Sequence, residues 1–444
     1  MAPCSFLSGL HFAFSLSLDM RAFQAKFAII DEELKRKREI MTLSEELTWR
    51  GFVNQTTFPD IKALDEGQLS FYFGVDPSAD SMTIGNLAAA MMVRHFINAG
   101  HKAFLLVGGA TGMIGDPDGK ADERNLKTLE EIAKNKAGIA AEYKRVFAGA
   151  DFEVVDNYDW FKDMNYLTFL REVGKHVPLS QMLGRDFVQA RLGEGGAGIS
   201  YAEFSYSLIQ GYDFLDLYRN HGVTLQLCGA DQWGNSIAGV DLIRRIEGAE
   251  AHVYSTPLVI NKATGKKFGK SEDGAVWLNP TKTSVYKFYQ FWLNADDEGV
   301  VDYAKIYTLL SREEIDAMAE QVATNPAGRV VQKTLAREVT AIVHGADRAA
   351  SAEKVTAVLF GGGSVTELSA DELEILAGEI PTASLGTSIV EILVGTGNAS
   401  SNGEARRLIE GGAVSVNGEK IDSDISVNEI SLVKKGKNNF ILIR

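Results

Sequence analysis

Apolar positions in the first half of the chain follow two different periods. Short continuous apolar runs at residues 69–75 and 103–107 predict buried strands, whereas the helical spacing at 43–53 and 85–99 predicts helices. Further strands are predicted at 152–155, 224–227 and 253–260, with helices between them. Strand, helix and strand at this spacing form a βαβ unit, which implies a parallel sheet. We therefore expect residues 41–279 to form a doubly wound, Rossmann-like α/β domain.

The second half of the chain changes character twice. Helical spacing predominates over residues 280–360, with helices predicted at 285–294, 300–310, 312–324 and 327–344. Residues 361–384 begin with three glycines and contain Pro381, a pattern typical of a linker. Residues 385–444 are predicted to form a small α+β module, with helices at 388–394 and 402–410 and strands at 413–416 and 440–443.

Length and charge limit the classes of protein that fit. A chain of 444 residues is expected to form two or three domains, and a net charge of -14 argues against a surface devoted entirely to nucleic acid. Residues 384–444, by contrast, hold seven basic and seven acidic side chains and are neutral. Basic clusters in this tail could contact a phosphate backbone, although charge alone leaves a solvated basic turn equally open. They comprise Arg406, Arg407, Lys434, Lys435 and Lys437.

The cysteines and the first forty residues bear on location. Cys4 and Cys228 are the two cysteines and form no disulfide or zinc pattern, so we expect a reducing, cytoplasmic environment. The apolar run at 6–18 is shorter than the roughly 20 residues that a membrane helix needs. The first basic residue of the chain, Arg21, follows this run, whereas a secretory signal has basic residues before it. We favour an upstream extension over residues 1–40 with Met41 as the functional start; a targeting role is the alternative.

Three polar loops follow or precede predicted strands. Residues 76–87 lead into a helix whose start places Thr83 and Asn86 on one face beside free backbone N–H groups, an arrangement that suits an anion. Residues 265–272 place lysines among glycines, as a mobile cationic loop would, and Asp231 in residues 229–235 is positioned to bind hydroxyl groups. Each also has a plain structural interpretation: Thr83 as a helix cap, the lysines as a solvated turn, and Asp231 as a second cap.

The order of these loops resembles the class I aminoacyl-tRNA synthetases. Their signatures, written H-I-G-H and K-M-S-K-S, correspond here to Thr83-Ile84-Gly85-Asn86 and Lys267-Phe268-Gly269-Lys270-Ser271. The segments Y-F-G-V-D-P-S-A-D-S, T-G-M-I-G-D-P-D-G-K, E-F-S-Y-S-L-I-Q-G-Y-D-F-L and L-Q-L-C-G-A-D-Q-W-G-N are similar to the bacterial tyrosyl-tRNA synthetase family. The likeness runs from residue 41 to residue 444 and implies activation of L-tyrosine by ATP, followed by transfer to tRNA(Tyr).

The resemblance assigns the tyrosine-binding residues one by one. Tyr72 and Asp213 would hydrogen-bond the phenol hydroxyl, and Gln226 and Gln232 would orient the carboxylate. The α-amino group would be surrounded by Asp116, Tyr206 and Gln210. Tyr206, Gln210 and Asp213 also share one helical face, which fits a single small ligand better than a core stripe, since a stripe would bury polar groups without partners.

The resemblance also implies an ATP site. The nucleoside would lie near Gly74, Asp76, Gly229 and Asp231, and the phosphates near Ser78, Thr83, Asn86 and Lys270. Lys120 and Arg124 would join Lys267 and Lys270 in meeting the pyrophosphate. Magnesium is expected to arrive with ATP, without a dedicated metal site. The tyrosine carboxylate is already ionised at neutral pH, so neither a general base nor a covalent enzyme intermediate is required.

The chain departs from the family pattern at several positions. No histidine remains in the first signature, so we predict no histidine titration from it in the activation step. Phe73 replaces a cysteine often found beside the ribose, and Cys228 stands where glycine is usual. A tryptophanyl enzyme and a catalytically inactive RNA-binding relative therefore stay open as alternatives, although Tyr72 paired with Asp213 favours a phenol over an indole.

The tail from residue 385 resembles the small RNA-binding module of ribosomal protein S-four, which also ends bacterial tyrosyl enzymes. The resemblance implies that Arg406 and Arg407 contact the tRNA backbone, while Lys434, Lys435 and Lys437 extend the basic edge. It further implies a homodimer. No membrane association is expected, because the apolar run at 6–18 is too short to span a bilayer.

Overall fold

A six-stranded sheet organises the first part of the protein. The computed structural model describes residues 41–117, 126–271 and 274–444. The strands are β1 (Gln55–Thr56), β2 (Ser70–Val75), β3 (Lys102–Val107), β4 (Glu153–Asp156), β5 (Leu225–Gly229) and β6 (His252–Thr256). Their order is β1-β6-β5-β2-β3-β4; all neighbours are parallel except β1, which pairs antiparallel with β6 at the edge. The predicted parallel sheet is confirmed, while β1 was not predicted.

Alternate residues of the central strands bury into two separate cores. Phe71 and Phe73 of β2 belong to one hydrophobic cluster, whereas Tyr72 between them belongs to another. Leu105 and Phe104 of β3 divide in the same way. Because successive strand side chains point to opposite faces, both faces of the sheet are covered, as in a doubly wound fold.

Ten helices of the described residues accompany this sheet. They are α1 (Leu43–Arg50), α2 (Ile84–Asn98), α3 (Thr111–Ile114), α4 (Leu129–Val146), α5 (Tyr158–Phe161), α6 (Tyr166–Glu172), α7 (Leu179–Leu183), α8 (Asp186–Leu192), α9 (Tyr201–His221) and α10 (Trp233–Glu247). Ser200 caps α9 by accepting a hydrogen bond from the Glu203 amide, and Gly222 ends it in the left-handed conformation.

A helical domain follows, with α11 (Val285–Leu293), α12 (Val300–Tyr307), α13 (Arg312–Thr324), α14 (Val330–His344) and α15 (Ala346–Phe360). Its core is continuous with that of α2, since Trp292, Tyr303 and Leu335 join the same cluster as Leu87. A short hairpin, β7 (Lys270–Ser271) and β8 (Gly274–Ala275), lies between the two domains in sequence.

Residues 361–384 differ from the predicted linker. They contain α16 (Ala370–Glu379) and β9 (Thr382–Ala383). Helix α16 has a capping box between Ser369 and Glu372 and buries Leu376, signals that the neighbouring glycines and Pro381 had masked. Segment 361–384 is therefore a structured part of the C-terminal half.

The C-terminal module contains α17 (Ile389–Gly395), α18 (Asn402–Glu410), β10 (Val414–Val416), β11 (Glu419–Lys420), β12 (Ser431–Lys435) and β13 (Asn439–Ile443). Its sheet has the order β11-β10-β12-β13-β9, so strand β9 from the expected linker completes it. Leu432 and Phe440 share a core with Tyr286 and Val358 of the helical domain. The module is thus packed against the helices that precede it.

Element ends account for the other differences from the predictions. The strand predicted at 253–260 ends at Thr256, because Pro257 cannot donate to a ladder. The helix predicted at 327–344 begins at Val330, after Arg329 with a φ of 47°. Within the described ranges, no helix combines the length and apolar character needed to cross a bilayer.

Candidate active site

A cavity of about 380 Å³ lies at the carboxyl ends of β2, β3 and β5. This is the edge at which ligands bind in open α/β sheets. Most of the residues predicted from the sequence line it: Tyr72, Gly74, Asp76, Ser78, Thr83, Asn86, Asp116, Tyr206, Gln210, Asp213, Gln226, Gly229, Asp231, Gln232 and Lys267. Lys120, Arg124 and the side chain of Lys270 lie outside the described part of the chain.

Three buried polar atoms in this cavity are not paired with other protein groups among the described residues. The Tyr72 hydroxyl, Gln210 Oε1 and Gln226 Oε1 have no hydrogen-bond partner among the described residues. Leaving a buried polar group unpaired costs roughly 1–3 kcal/mol. Their convergence on one cavity therefore favours a polar ligand there.

Asp213 forms the deep end of the cavity. Its carboxylate accepts hydrogen bonds from Asn157 Nδ2 at 3.1 Å and from Trp160 Nε1 at 2.9 Å. Burial raises the pKa of Asp213 well above its ordinary value, and these two donors partly oppose that shift. Burial, with the nearby Asp213, also raises the pKa of Tyr72, which therefore stays a hydroxyl.

The sequence prediction missed Asn157 and Trp160. Both come just after β4, so the rule that polar side chains gather at the carboxyl ends of parallel strands would have pointed to them. Asn157 is fully buried and also donates to Thr111 Oγ1 at 3.0 Å. It thereby connects Asp213 to the next group of polar residues.

Asp76 is the centre of that group. The Tyr206 hydroxyl donates to Asp76 Oδ2 at 2.7 Å, and the Thr111 hydroxyl donates to Oδ1 at 2.6 Å. A side chain at Gly108 would bring its Cβ within 2.2 Å of Asp76 Oδ1, so the close approach requires glycine. Asp76, expected only near the nucleoside, is thus also tied to a residue expected near the tyrosine amino group.

Two further pairs occupy the rim of the cavity. Gln232 Nε2 donates to Asp116 Oδ2 at 2.6 Å, which links an expected carboxylate-binding residue to an expected amine-binding residue. A Cβ at Gly229 would lie 2.6 Å from Asp231 Oδ1, so this glycine makes room for the carboxylate. Asp116 follows helix α3, and Gly229, Asp231 and Gln232 lie at or just after the end of β5.

Thr83 and Asn86 bond to each other at the start of α2. Asn86 Oδ1 accepts from both the backbone N and the hydroxyl of Thr83, each at 2.9 Å. The Nδ2 group of Asn86 is therefore the part of the side chain that can donate to a ligand. Among the described residues, no histidine lines the cavity.

The loop that contains the second signature, residues 265–271, lies against the first signature. It is called the lysine loop below. Ile84 N donates to Val276 O at 3.1 Å, and a Cβ at Gly269 would lie 3.4 Å from Gly85 N. Gly269 has a φ of 103°, which favours glycine at this close approach. Phe268 stacks on Tyr303 with ring centroids 4.1 Å apart, anchoring the loop to α12.

Two of the departures from the family pattern, Phe73 and Cys228, line the cavity. Phe73 is buried and offers only an aromatic surface. Burial raises the pKa of the Cys228 thiol to about 12, so it stays protonated at neutral pH. Neither side chain touches Tyr72 and Asp213 through a hydrogen bond that the structure records.

The basic residues of the C-terminal module have unequal surroundings. Arg406 and Arg407 on α18 and Lys437 in the β12–β13 turn are exposed. Lys434 Nζ lies 5.2 Å from the centre of the Phe440 ring, and Lys435 Nζ donates to the carbonyl of Asn398. Arg406, Arg407 and Lys437 are thus more available to an external anion than Lys434 and Lys435.

Two family models match the chain. The class I tRNA synthetases (W and Y) match residues 64–361, and the tyrosine–tRNA ligase SYY-like C-terminal domain matches residues 372–444. Tyrosine–tRNA ligase 2 of Bacillus cereus (strain ZK / E33L) is 44% identical over 422 residues, covering 91% of this chain and 100% of the relative. Tyrosine–tRNA ligase of Listeria monocytogenes serotype 4a (strain HCC23) is 44% identical over 423 residues, covering 91% and 99%.

Solved structures agree with these relatives. The C-terminally truncated mitochondrial tyrosyl-tRNA synthetase of Coccidioides posadasii has a TM-score of 0.62 and 30% identity, covering 78% of this chain and 99% of its own. That of Aspergillus nidulans has a TM-score of 0.64 and 28% identity, covering 75% and 98%. On these matches, the chain belongs to the tyrosine–tRNA ligases of the class I aminoacyl-tRNA synthetases.

Proposed function

We propose that this protein activates L-tyrosine with ATP to form tyrosyl-adenylate and then transfers the tyrosyl group to tRNA(Tyr). The observation that carries the proposal is the convergence of Tyr72, Gln210 and Gln226 on one cavity with unpartnered polar atoms, beside the carboxylate of Asp213. A phenol at one end of the substrate and an ammonium group at the other would give partners to the Tyr72 hydroxyl and to Gln210 Oε1. The substrate carboxylate, an acceptor, would instead take a hydrogen bond from the Nε2 group of Gln226.

Tyrosine binds with its phenol hydroxyl between Tyr72 and Asp213. Asn157 and Trp160 orient the Asp213 carboxylate through their hydrogen bonds. At the other end, Tyr206, Gln210 and Asp116 surround the α-amino group, and Gln226 and Gln232 direct the carboxylate toward the α-phosphorus of ATP. Phenylalanine binds less well because it leaves the buried Tyr72 hydroxyl without a partner.

ATP binds across the loops at the opposite side of the cavity. Gly74, Asp76, Gly229 and Asp231 hold the nucleoside, and Ser78, Thr83, Asn86 and Lys270 meet the phosphates. The backbone N–H groups at the start of α2 add donors there. Lys120, Arg124 and Lys267 stabilise the charge of the departing pyrophosphate, so the enzyme contributes positioning and electrostatics rather than a covalent intermediate.

Magnesium enters with the nucleotide in this scheme. In the part of the chain that the structure describes, no three His, Cys, Asp or Glu side chains are grouped as metal ligands. Phosphate oxygens and water molecules would hold the ion, since magnesium usually keeps several waters. When bound, it neutralises charge on the phosphates.

The tRNA contacts and the dimer belong to the same proposal. Arg406 and Arg407, with Lys434, Lys435 and Lys437 at the edge, contact the tRNA backbone.

The surface for a second copy of the chain is formed by the exposed side chains of Tyr166, Leu167 and Tyr201. Within one chain, the Tyr166 hydroxyl donates to that of Tyr201 at 3.2 Å. A cytoplasmic location fits the cysteine content. Sedimentation of Leu167→Glu tests the dimer, and a wild-type monomer would overturn it.

Tyrosine-dependent exchange of pyrophosphate into ATP tests the activation step. Exchange with L-tyrosine, and charging of tRNA(Tyr), are the expected results. Exchange with tryptophan instead of tyrosine would identify a tryptophanyl enzyme. Exchange with neither amino acid, together with retained tRNA binding, would identify a catalytically inactive relative.

A further inference from the structure

Glu142 is a buried carboxylate outside the cavity, on helix α4. Its side chain is 1% exposed and is not part of the cavity lining. Oε1 accepts a hydrogen bond from the Ser81 hydroxyl at 2.7 Å, and Oε2 accepts one from the Met82 backbone N at 2.6 Å. Both donors come directly before Thr83, the first residue of the signature that caps α2.

Ser81 and Met82 also contact the segment that follows the lysine loop. The Ser81 hydroxyl accepts from Asn279 N at 3.0 Å, and Met82 O accepts from Leu278 N at 3.0 Å. Thr83 and Trp277 form an antiparallel bridge between the same two segments. The Glu142 carboxylate therefore lies where the start of the first signature contacts the segment that follows the lysine loop.

From this arrangement we infer that Glu142 is a positioning residue for ATP, which fixes the first signature and, through Ser81, the segment after the lysine loop. The inference rests on the proposed placement of the phosphates near Thr83 and Asn86. Glu142 does not touch ATP. It sets the position of the residues that do.

A carboxylate suits this place because it offers two acceptors and no donor. Glutamine of the same length offers one acceptor and one NH₂ group, which would face either the Ser81 hydroxyl or the Met82 N–H. Arg145 Nη2, at 3.5 Å from Oε1, supplies the nearest positive charge. Burial raises the pKa of Glu142, and the hydrogen bonds from Met82 and Ser81 with the charge of Arg145 offset only part of that rise.

The test uses steady-state kinetics of pyrophosphate exchange in the full-length protein. Glu142→Gln is expected to lower kcat/KM for ATP about tenfold or more, because a small displacement of phosphate-binding groups is costly. The KM for tyrosine should stay within about twofold, since Tyr72 and Asp213 keep all their contacts. A purely structural role would disturb both substrates alike.

Ile139→Val is the matched control. Ile139 is buried on the same helix, one turn before Glu142, and packs in the core. This variant should lose stability, measured as Tm, without separating the ATP and tyrosine constants. Equal losses for both substrates in Glu142→Gln, in proportion to its loss of Tm as in the control, would overturn the proposal.

Ser81→Ala provides a second route that keeps Glu142. It should also lower kcat/KM for ATP selectively, and the double variant should be no more than about twofold worse than the poorer single variant, as expected for residues that act through one network. Full additivity, or a kcat/KM for ATP within about threefold of wild type in both single variants, would contradict the inference.

Asn86→Ala separates this inference from the proposed function. If it lowers kcat/KM for ATP while Glu142→Gln and Ser81→Ala do not, the phosphate site is correct and the role of Glu142 is wrong. If Asn86→Ala leaves kcat/KM for ATP unchanged, the placement of the phosphates fails and the inference fails with it.

Discussion

The Tyr206 hydroxyl donates a 2.7 Å hydrogen bond to Oδ2 of Asp76, which joins helix α9 to the residue that follows strand β2. Burial, with the charges of Asp76 and Asp116, raises the pKa of Tyr206 well above its ordinary value, so the hydroxyl remains a donor. The bond lies between the proposed amino-acid and nucleotide ends of the cavity. Both ends therefore share one buried contact.

Tyr206→Phe removes this donor and leaves Asp76 with its bond from Thr111. We expect a loss of stability of roughly 1.5–3 kcal/mol, because a hydrogen bond to a charged, half-buried acceptor is lost. The KM for tyrosine should also rise, since the cavity wall beside the amino group is no longer fixed. Urea unfolding and pyrophosphate exchange measure the two effects.

Tyr143→Phe is the control for that substitution. Tyr143 is fully buried, and its hydroxyl donates to Leu106 O at 3.1 Å, but it does not line the cavity. It should lose stability to a similar extent without changing the KM for tyrosine. An unchanged KM in both variants would contradict the role of Tyr206.

Tyr72→Phe should stabilise the free protein while weakening substrate selection. The Tyr72 hydroxyl is buried without a partner among the described residues, so its removal relieves a cost of roughly 1–3 kcal/mol. In the complex it loses one hydrogen bond worth about 0.5–1.5 kcal/mol, which would lower the preference for tyrosine over phenylalanine roughly 2- to 12-fold. Exchange assays with each amino acid give this ratio.

Tyr254→Phe offers a matched comparison on strand β6. The Tyr254 hydroxyl is likewise buried without a partner in the described part of the chain, but Tyr254 is not in the cavity lining. It should gain stability and keep the selectivity of the wild type. The assignment of Tyr72 would be wrong if both variants selected tyrosine equally well.

Linear motifs made most of the cavity predictable. Tyr72, Asp76 and Asp213 lie in segments whose residue types and spacing specify a strand end or a helical face, so their convergence followed from the parallel sheet. Asn157 was overlooked although it directly follows β4, whereas Glu142 was not predicted because its partner Ser81 lies 61 positions away along the chain. Such contacts depend on packing rather than on local pattern.

In the C-terminal half, the residues that predicted a linker at 361–384 concealed a helix and a short strand. Glycines at 361–363 and Pro381 outweighed the capping pair Ser369 and Glu372, although that pair starts helix α16. Strand β9 has two residues, too few for a periodic signal, and it forms by pairing with β13. Its existence is decided by a partner some sixty residues later in the chain.

Asp213 gives the protein a pH-dependent stability. Burial raises its pKa, so the folded state retains a proton that the unfolded chain releases near its ordinary pKa of about 3.9. The contribution of Asp213 to stability is therefore greatest below that ordinary value and declines as pH rises toward the folded-state pKa. Asp213→Asn removes this decline, so its Tm relative to wild type should increase between pH 5 and pH 8.

Leu217→Ala controls for general destabilisation of the same helix. Leu217 is fully buried and does not titrate, so its Tm difference from wild type should be nearly the same at both pH values. A constant difference for Asp213→Asn as well would show that its carboxylate is ionised to the same extent in both states. Scanning calorimetry at the two pH values measures these differences.

Replacing both Arg406 and Arg407 by alanine should affect tRNA charging and leave amino-acid activation intact. The two side chains are exposed on α18, and the module is packed on the helical domain rather than on the cavity. We expect the KM for tRNA(Tyr) to rise, and the slope of log affinity against log salt to fall by about two, roughly one for each lost phosphate contact. Pyrophosphate exchange should match the wild type.

Replacing both Lys62 and Lys102 by alanine is the control. Both side chains are exposed in the α/β domain, so this variant removes the same charge and should leave the slope unchanged. Equal slopes for the two double variants would place the tRNA contact elsewhere.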